Sequence, residues 1–227
     1  MSESESRTVR EPIFPPWVDD LFRMLSAGGA FFAVYVVLMF TFGASPRTMD
    51  AGYMPEQPVP YSHRLHVGEL GLDCRYCHTG VEMGASATIP PTQTCMNCHA
   101  KILPESTKLQ PIRDSYASGL PVEWLRIHDL PDYVYFNHSA HVLHGVGCVS
   151  CHGRVDAMEE VFQDQPLSMG WCLDCHRNPA PHLRPLDKVT DLGYMPPAGE
   201  GERFMRERNK IDATRIRELT SCSTCHR

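Results

Sequence analysis

Apolar residues are dense in only one part of the chain. From Met24 to Pro46 the sequence reads MLSAGGAFFAVYVVLMFTFGASP, 23 residues without a charge. At helical rise this covers roughly 34 Å, the thickness of a bilayer core. The pattern predicts a transmembrane helix over 24–46, bracketed by Arg23 and Arg47. A cleaved signal peptide should have a short basic leader and a 7–15-residue apolar run. Residues 1–23 instead carry three arginines against five acids, and the run is longer. An uncleaved anchor is therefore expected.

Beyond the anchor, apolar positions are scattered and few stretches keep a helical or strand period. Residues 47–60 read as a proline-containing linker. Glu202–Leu219 reads as a helix rich in arginine and glutamate, with Phe204, Ile211, Ile216 and Leu219 as its apolar positions. With 19 prolines and little periodicity, the rest should fold as short helices and loops, with little β structure.

The ten cysteines change the picture. They form five pairs, each with two residues between: Cys74/Cys77, Cys95/Cys98, Cys148/Cys151, Cys172/Cys175 and Cys222/Cys225. Each pair is followed at once by a histidine: His78, His99, His152, His176 and His226. C-x-x-C-H is the attachment signature of c-type haem. Disulfides would not explain the histidines. Zinc sites built from two such pairs need an even number of pairs, and there are five. A redox C-x-x-C belongs in a βαβ pattern, and none is visible. Five covalently bound haem c groups are expected, with the porphyrins forming most of the apolar core of a domain spanning 61–227. The two cysteines of each motif lie on one short helical turn, and the motif histidine points at the iron from the same side.

Haem attachment fixes the topology, because the flanking arginines are too balanced to decide it. C-type haem is attached outside the bacterial cytoplasmic membrane. Residues 1–23 should therefore be cytoplasmic, and 61–227 periplasmic, on a single-pass inner-membrane protein. A formal charge of −6, before ten propionates are added, excludes a nucleic-acid partner.

The domain contains an internal repeat. Tyr61-Ser-His63-Arg-Leu-His66 precedes two haem motifs in module 61–99. Phe136-Asn-His138-Ser-Ala-His141 precedes two more in module 136–176. A terminal site follows at 222–226. H-x-x-H sets two imidazoles one helical turn apart, so they can serve two haems. His63, His66, His138 and His141 are thus candidate distal ligands. For a fifth, Met169 stands three residues before Cys172, with His128 and His182 as alternatives, and His144 and Met195 behind them. Thioether ligation would raise that iron's potential. Arg126, Arg154, Arg177 and Arg184 lie near haem-bearing segments and could pair with propionates.

An aromatic residue two positions before H-x-x-H, ahead of C-x-x-C-H, resembles the small multihaem cytochromes of the c-seven type. That resemblance implies that His63 faces the haem of His78, and His138 that of His152. The second histidine of each pair then serves a later haem. The N-terminal helix, the five motifs, Trp124–Asp132 and Ser168–Pro179 together resemble the pentahaem subunit of alternative complex III. That likeness covers roughly residues 20–227. It implies electron relay from quinol to a periplasmic acceptor, with no catalytic residue in this chain. The implied partners are an iron–sulfur subunit, multispan quinol-binding subunits, a monohaem cytochrome c subunit and membrane lipid.

Two other classes remain. A self-sufficient tetrahaem-type quinol dehydrogenase keeps a haem near its anchor, whereas 27 residues separate Pro46 from Cys74 here. A multihaem reductase needs an iron with an open position, yet all five motifs end in histidine.

Overall fold

A computed structural model describes residues 13–45, 48 and 50–226. Residues 1–12, Pro46, Arg47, Met49 and Arg227 lie outside the described residues. They include most of the expected cytoplasmic segment, the last residue of the expected transmembrane span and the flanking Arg47. The chain divides into two compact units, 1–45 and 46–227.

The first unit is one helix, α1 (Pro16–Leu38), which continues as a wider π-turn over Met39–Gly43. Its apolar side chains are exposed along its length. The helix begins eight residues before the uncharged run does. Pro15 and Pro16 fix the backbone for a helix start, and proline is tolerated in a first turn because its missing N–H has no helical partner there. Asp19, Asp20 and Arg23 therefore lie on the helix and not in a separate polar tail. At 28 residues, Pro16–Gly43 is long and apolar enough to cross a membrane.

The second unit is helical, and no strand occurs among the described residues. A single antiparallel bridge joins Val146 to Leu183. The helices are short: α2 (Cys74–Cys77), α3 (Thr92–His99), α4 (Gln110–Ser118), α5 (His138–Val142), α6 (Val149–His152), α7 (Met169–Arg177), α8 (Glu200–Arg203), α9 (Ala213–Leu219) and α10 (Cys222–Cys225). A π-turn spans Arg64–Glu69. Several starts are capped by side chains that the sequence supplies at the right place. Asp73 accepts from the Arg75 N–H, Asn137 from Ala140, Ser168 from Trp171, and Asp212 from Thr214 and Arg215.

One expectation changes. Residues 202–219 do not form one helix. α8 runs into a π-turn over Phe204–Arg208, the backbone turns through Lys210 in the left-handed region (φ 49°), and α9 starts afresh at Ala213. The Asn209–Asp212 stretch supplies a cap for α9 instead of a helical turn. Where it is described, the proline-containing 47–60 stretch is bonded into the second unit. Gly52 N–H donates to Gln163 O (2.7 Å), Gln163 N–H donates to Tyr53 O (3.0 Å), and the Gln57 amide both donates to and accepts from the Leu125 backbone. Val59 is buried.

Among the described residues the buried apolar side chains are Val59, Ile112, Met158, Ala180, Leu183, Val189 and Leu192. That core is small for a unit of this length, which would ordinarily bury about 70% of its surface.

Candidate functional site

Each C-x-x-C-H motif sits on or at the end of a helical turn. α2, α3, α6, α7 and α10 carry one motif each, with Cys148 at the cap of α6 and His78 and His226 just past their helices. All ten cysteines are free, so none is committed to a disulfide. Among the described residues no three Cys, His, Asp or Glu side chains converge as a zinc site requires.

Four of the five motif histidines share one arrangement. His78 Nδ1 contacts Thr88 O (2.8 Å), His99 contacts Ile102 O (3.0 Å), His176 contacts Leu219 O (2.8 Å) and His226 contacts Tyr133 O (3.1 Å). A carbonyl can only accept, so Nδ1 carries the proton in each. Nε2 is left with a bare lone pair, the tautomer a metal-binding imidazole needs. The backbone is strained to deliver two of these carbonyls. Thr88 itself (φ 64°) and Leu103 (φ 52°), the neighbour of Ile102, occupy the left-handed region that side-chain-bearing residues avoid.

Three of the four H-x-x-H histidines show the same device from the other side, whereas His63 Nδ1 is buried without a partner. His66 donates to Ser62 O (2.8 Å), His138 to Ala85 O (2.7 Å) and His141 to Asn137 O (2.8 Å). Each aromatic that precedes a pair packs on both of its rings. Tyr61 lies 4.7 Å from His63 and 4.4 Å from His66, and Phe136 lies 4.7 Å from both His138 and His141.

Ring separations provide a test of fit. Two imidazoles holding one metal from opposite sides, at about 2.0–2.1 Å each, keep their ring centres about 6–6.5 Å apart. His66 and His99 are 6.2 Å apart, His138 and His152 6.4 Å, and His141 and His176 6.1 Å. His63 neighbours His78, whose charge is the largest perturbation on it after burial. Three ring pairs are thus set as an iron held on both faces would set them.

Electrostatics favours neutral rings. Burial, with His78 and His66 nearby, lowers the His63 pKa to about 4. Burial, with His128 and His138 nearby, lowers that of His152 to about 3. Burial also lowers His128, His141 and His182. A buried cationic imidazole lacks solvation, so these groups stay deprotonated and able to bind a metal.

The remaining candidates fall in different places. His128 lies edge-on to His152 at 4.5 Å, too close to sit across a metal from it, and its Nε2 is buried without a partner. His182 is half-buried beside Arg184. His144 is exposed, yet its Nδ1 donates to Ala140 O (2.5 Å), as His66 and His141 do to their own fourth-preceding carbonyls. Nothing in its sequence position distinguished it. Met169 is exposed on the first turn of α7, and Met195 is more exposed still. Burial, and then Cys225 of the fifth motif, raise the pKa of Cys172, one turn along from Met169.

Three of the four arginines are exposed and paired with nearby acids: Arg126 with Asp129, Arg154 with Asp156, and Arg177 with Asp174. Arg184 differs. It is 4% exposed, and its Nη1 donates to Asp191 O (3.2 Å), while its Nε has no partner. The guanidinium fills the space where a side chain at Gly147 would project, one residue before Cys148. Burial lowers its pKa. Arg113, on α4 against α3, also has a buried Nη1 without a partner, a feature the sequence did not signal. A buried cation such as Arg184 requires a counter-charge, and a propionate would supply one.

The chain is similar to the menaquinone reductase multihaem cytochrome c subunit of Nitratidesulfovibrio vulgaris, with 36% identity across 69% of this chain and 85% of that protein. No established family pattern matches it.

Proposed function

The chain belongs to the multihaem cytochrome c family of that subunit, and from this membership we propose that it is the electron-transfer subunit of a quinone-linked membrane complex. It carries five haems at its five motifs. When bound, haem c supplies a one-electron iron centre whose potential is set by axial ligands, burial and hydrogen bonds. The observation that carries the reading is the set of ring pairs, His66/His99, His138/His152 and His141/His176, at 6.1–6.4 Å.

The chain's own residues do the holding. The ten cysteines anchor the groups. His78, His99, His152, His176 and His226 bind from one face, and His63, His66, His138 and His141 bind opposite the first four. Met169 takes the fifth site, with His144 as its rival on the strength of its Nδ1 bond. Arg184 and Arg113 neutralise propionates. Pro16–Gly43 anchors the chain in the inner membrane, with residues 61–227 on the periplasmic side. No residue makes or breaks a covalent bond in substrate, so the subunit is a relay and not itself a catalyst.

The resemblance to alternative complex III favours quinol as the donor and a periplasmic protein as the acceptor. An iron–sulfur subunit, multispan quinone-binding subunits and a monohaem cytochrome c would be its neighbours. The relative's description as part of a menaquinone reductase favours the opposite direction. Purified complex distinguishes them. Haem reduction by added quinol, followed by reoxidation by a soluble cytochrome c, supports the first. Haem reduction only by a periplasmic donor, with electrons then delivered to menaquinone, supports the second. Haem absorbance unresponsive to both would contradict the relay.

A further inference from the structure

We infer that the five attachment sites form an unbranched line in the order second, first, third, fourth, fifth, with electrons exchanged with partner proteins at the second and fifth sites. This deepens the haem reading and rests on it. The repeat alone suggests that the two modules follow one another in chain order, second site against third. The contacts join them through the first site instead.

The second motif is tied to the first. Asn97, between Cys95 and Cys98, donates from Nδ2 to the Tyr76 hydroxyl (3.1 Å), between Cys74 and Cys77. The adjoining histidines His63 and His66 share the Tyr61 ring, and His66 faces His99 while His63 neighbours His78. The first motif is then tied to the third. Cys74 and Cys148, 74 positions apart in sequence, are both tied to one short segment, Val189–Thr190. Two consecutive residues hold them there: the Cys148 N–H donates to Val189 O (3.0 Å), and Cys74 Sγ contacts Thr190 O (4.0 Å). The Thr190 hydroxyl donates to Asp73 (2.8 Å), and Val189 is almost wholly buried, so this is a fixed clamp.

The third and fourth motifs share α5. Its His138 faces His152 and its His141 faces His176, with Phe136 packed on both. The fourth is tied to the fifth by His176 Nδ1, which donates to Leu219 O (2.8 Å), three residues before Cys222. Tyr135 N–H donates to Cys225 O (2.8 Å), next to Phe136. In the haem protein these cysteine sulfurs are thioethers, so neighbouring sulfurs mark neighbouring porphyrin edges.

The ends of the line have a common property. Of the ten cysteines only Cys98 and Cys222 are exposed, one on the second motif and one on the fifth. The interior sites keep theirs half-buried. A one-electron protein donor at one end is oxidised as a one-electron acceptor at the other is reduced, with no net change in the chain.

The test is the arrangement of irons in the intact haem-loaded chain, from iron anomalous scattering or a cryo-EM map, each iron assigned by its attached cysteines. The first iron should have the second and third as its nearest neighbours, and the second and fifth irons should each have one. Five haems with the second iron between the first and third would overturn the order alone. Fewer than five haems would defeat the underlying reading as well. A kinetic comparison of variants in the complex checks the path. Cys95→Ala with Cys98→Ala should leave the other four haems in one fast phase. Cys74→Ala with Cys77→Ala should strand the second site from the remainder, splitting that phase. The reverse pattern would overturn the order.

Discussion

At the scale of single residues, Arg184 and Met169 carry the sharpest expectations. Arg184 is a buried cation with one backbone acceptor and an unpartnered Nε, a costly state unless an anion lies alongside. If it neutralises a propionate near the third motif, Arg184→Met should lower one haem's potential, because loss of a nearby positive charge favours the oxidised, more positive iron. An unscreened change of one charge at this range amounts to about 1–2 kcal/mol, or about 50–100 mV per electron. Superimposable redox titrations of parent and variant would mean that Arg184 only packs against Gly147. Met169→His should keep its iron low-spin while lowering its potential by on the order of 100 mV, equivalent to about 2.3 kcal/mol per electron. The parent should also show a near-infrared methionine–ferric band that the variant lacks. If the parent has no such band and His144→Ala produces a high-spin haem, His144 is the ligand.

The motif residues were conspicuous in the sequence because covalent haem attachment would dictate both the residue types and their spacing. Their partners were not. His138 Nδ1 donates to Ala85 O, 53 positions away, and His176 donates to Leu219 O, 43 away. Any residue can offer a backbone carbonyl, so composition holds no trace of these choices. Burial of Arg184, as against exposure of Arg126, Arg154 and Arg177, also depends on contacts distant in sequence.

At the scale of elements, the motif helices are too short to be stable by themselves, since isolated helices below about 12–15 residues are marginal. Caps and long-range ties must hold them. α2 shows this most clearly. Asp73 accepts from the Arg75 N–H and guanidinium and from Thr190, and Arg75 with these bonds holds its carboxyl down at about 2. Asp73→Ala should lower the urea stability of the haem-loaded chain by about 1 kcal/mol, typical of a lost cap. The sign with pH follows from the lowered pKa. The contribution is complete above the ordinary carboxylate value of 3.8 and disappears as pH falls toward about 2. The stability difference between parent and variant should therefore shrink across that window. A difference that stays constant from pH 5 to pH 2 would show that the charge of Asp73 does not matter. Periodicity misjudged other elements for identifiable reasons. Pro15 and Pro16 permit an earlier start to α1 than charge content suggests. Asp212 caps a new helix inside what reads as one amphipathic run.

At the scale of the whole molecule, the small apolar core, the five motif turns and the apolar N-terminal helix describe a protein organised around covalently held groups. The repeat was conspicuous in the sequence, but the tie of Asp73, Cys74 and Cys148 to Val189–Thr190 was not, because it links different modules. Pro16–Gly43 should remain part of the mature chain. Intact mass should include it, and extraction from membranes should need detergent. A mature chain starting near Ser45 would instead identify a removed leader. The most direct test of the central claim is the haem content of the intact chain, from the pyridine haemochrome spectrum against protein mass. Five covalent haems per chain are expected, one for each motif. A ratio of two or three, or stoichiometric zinc in place of iron, would contradict it.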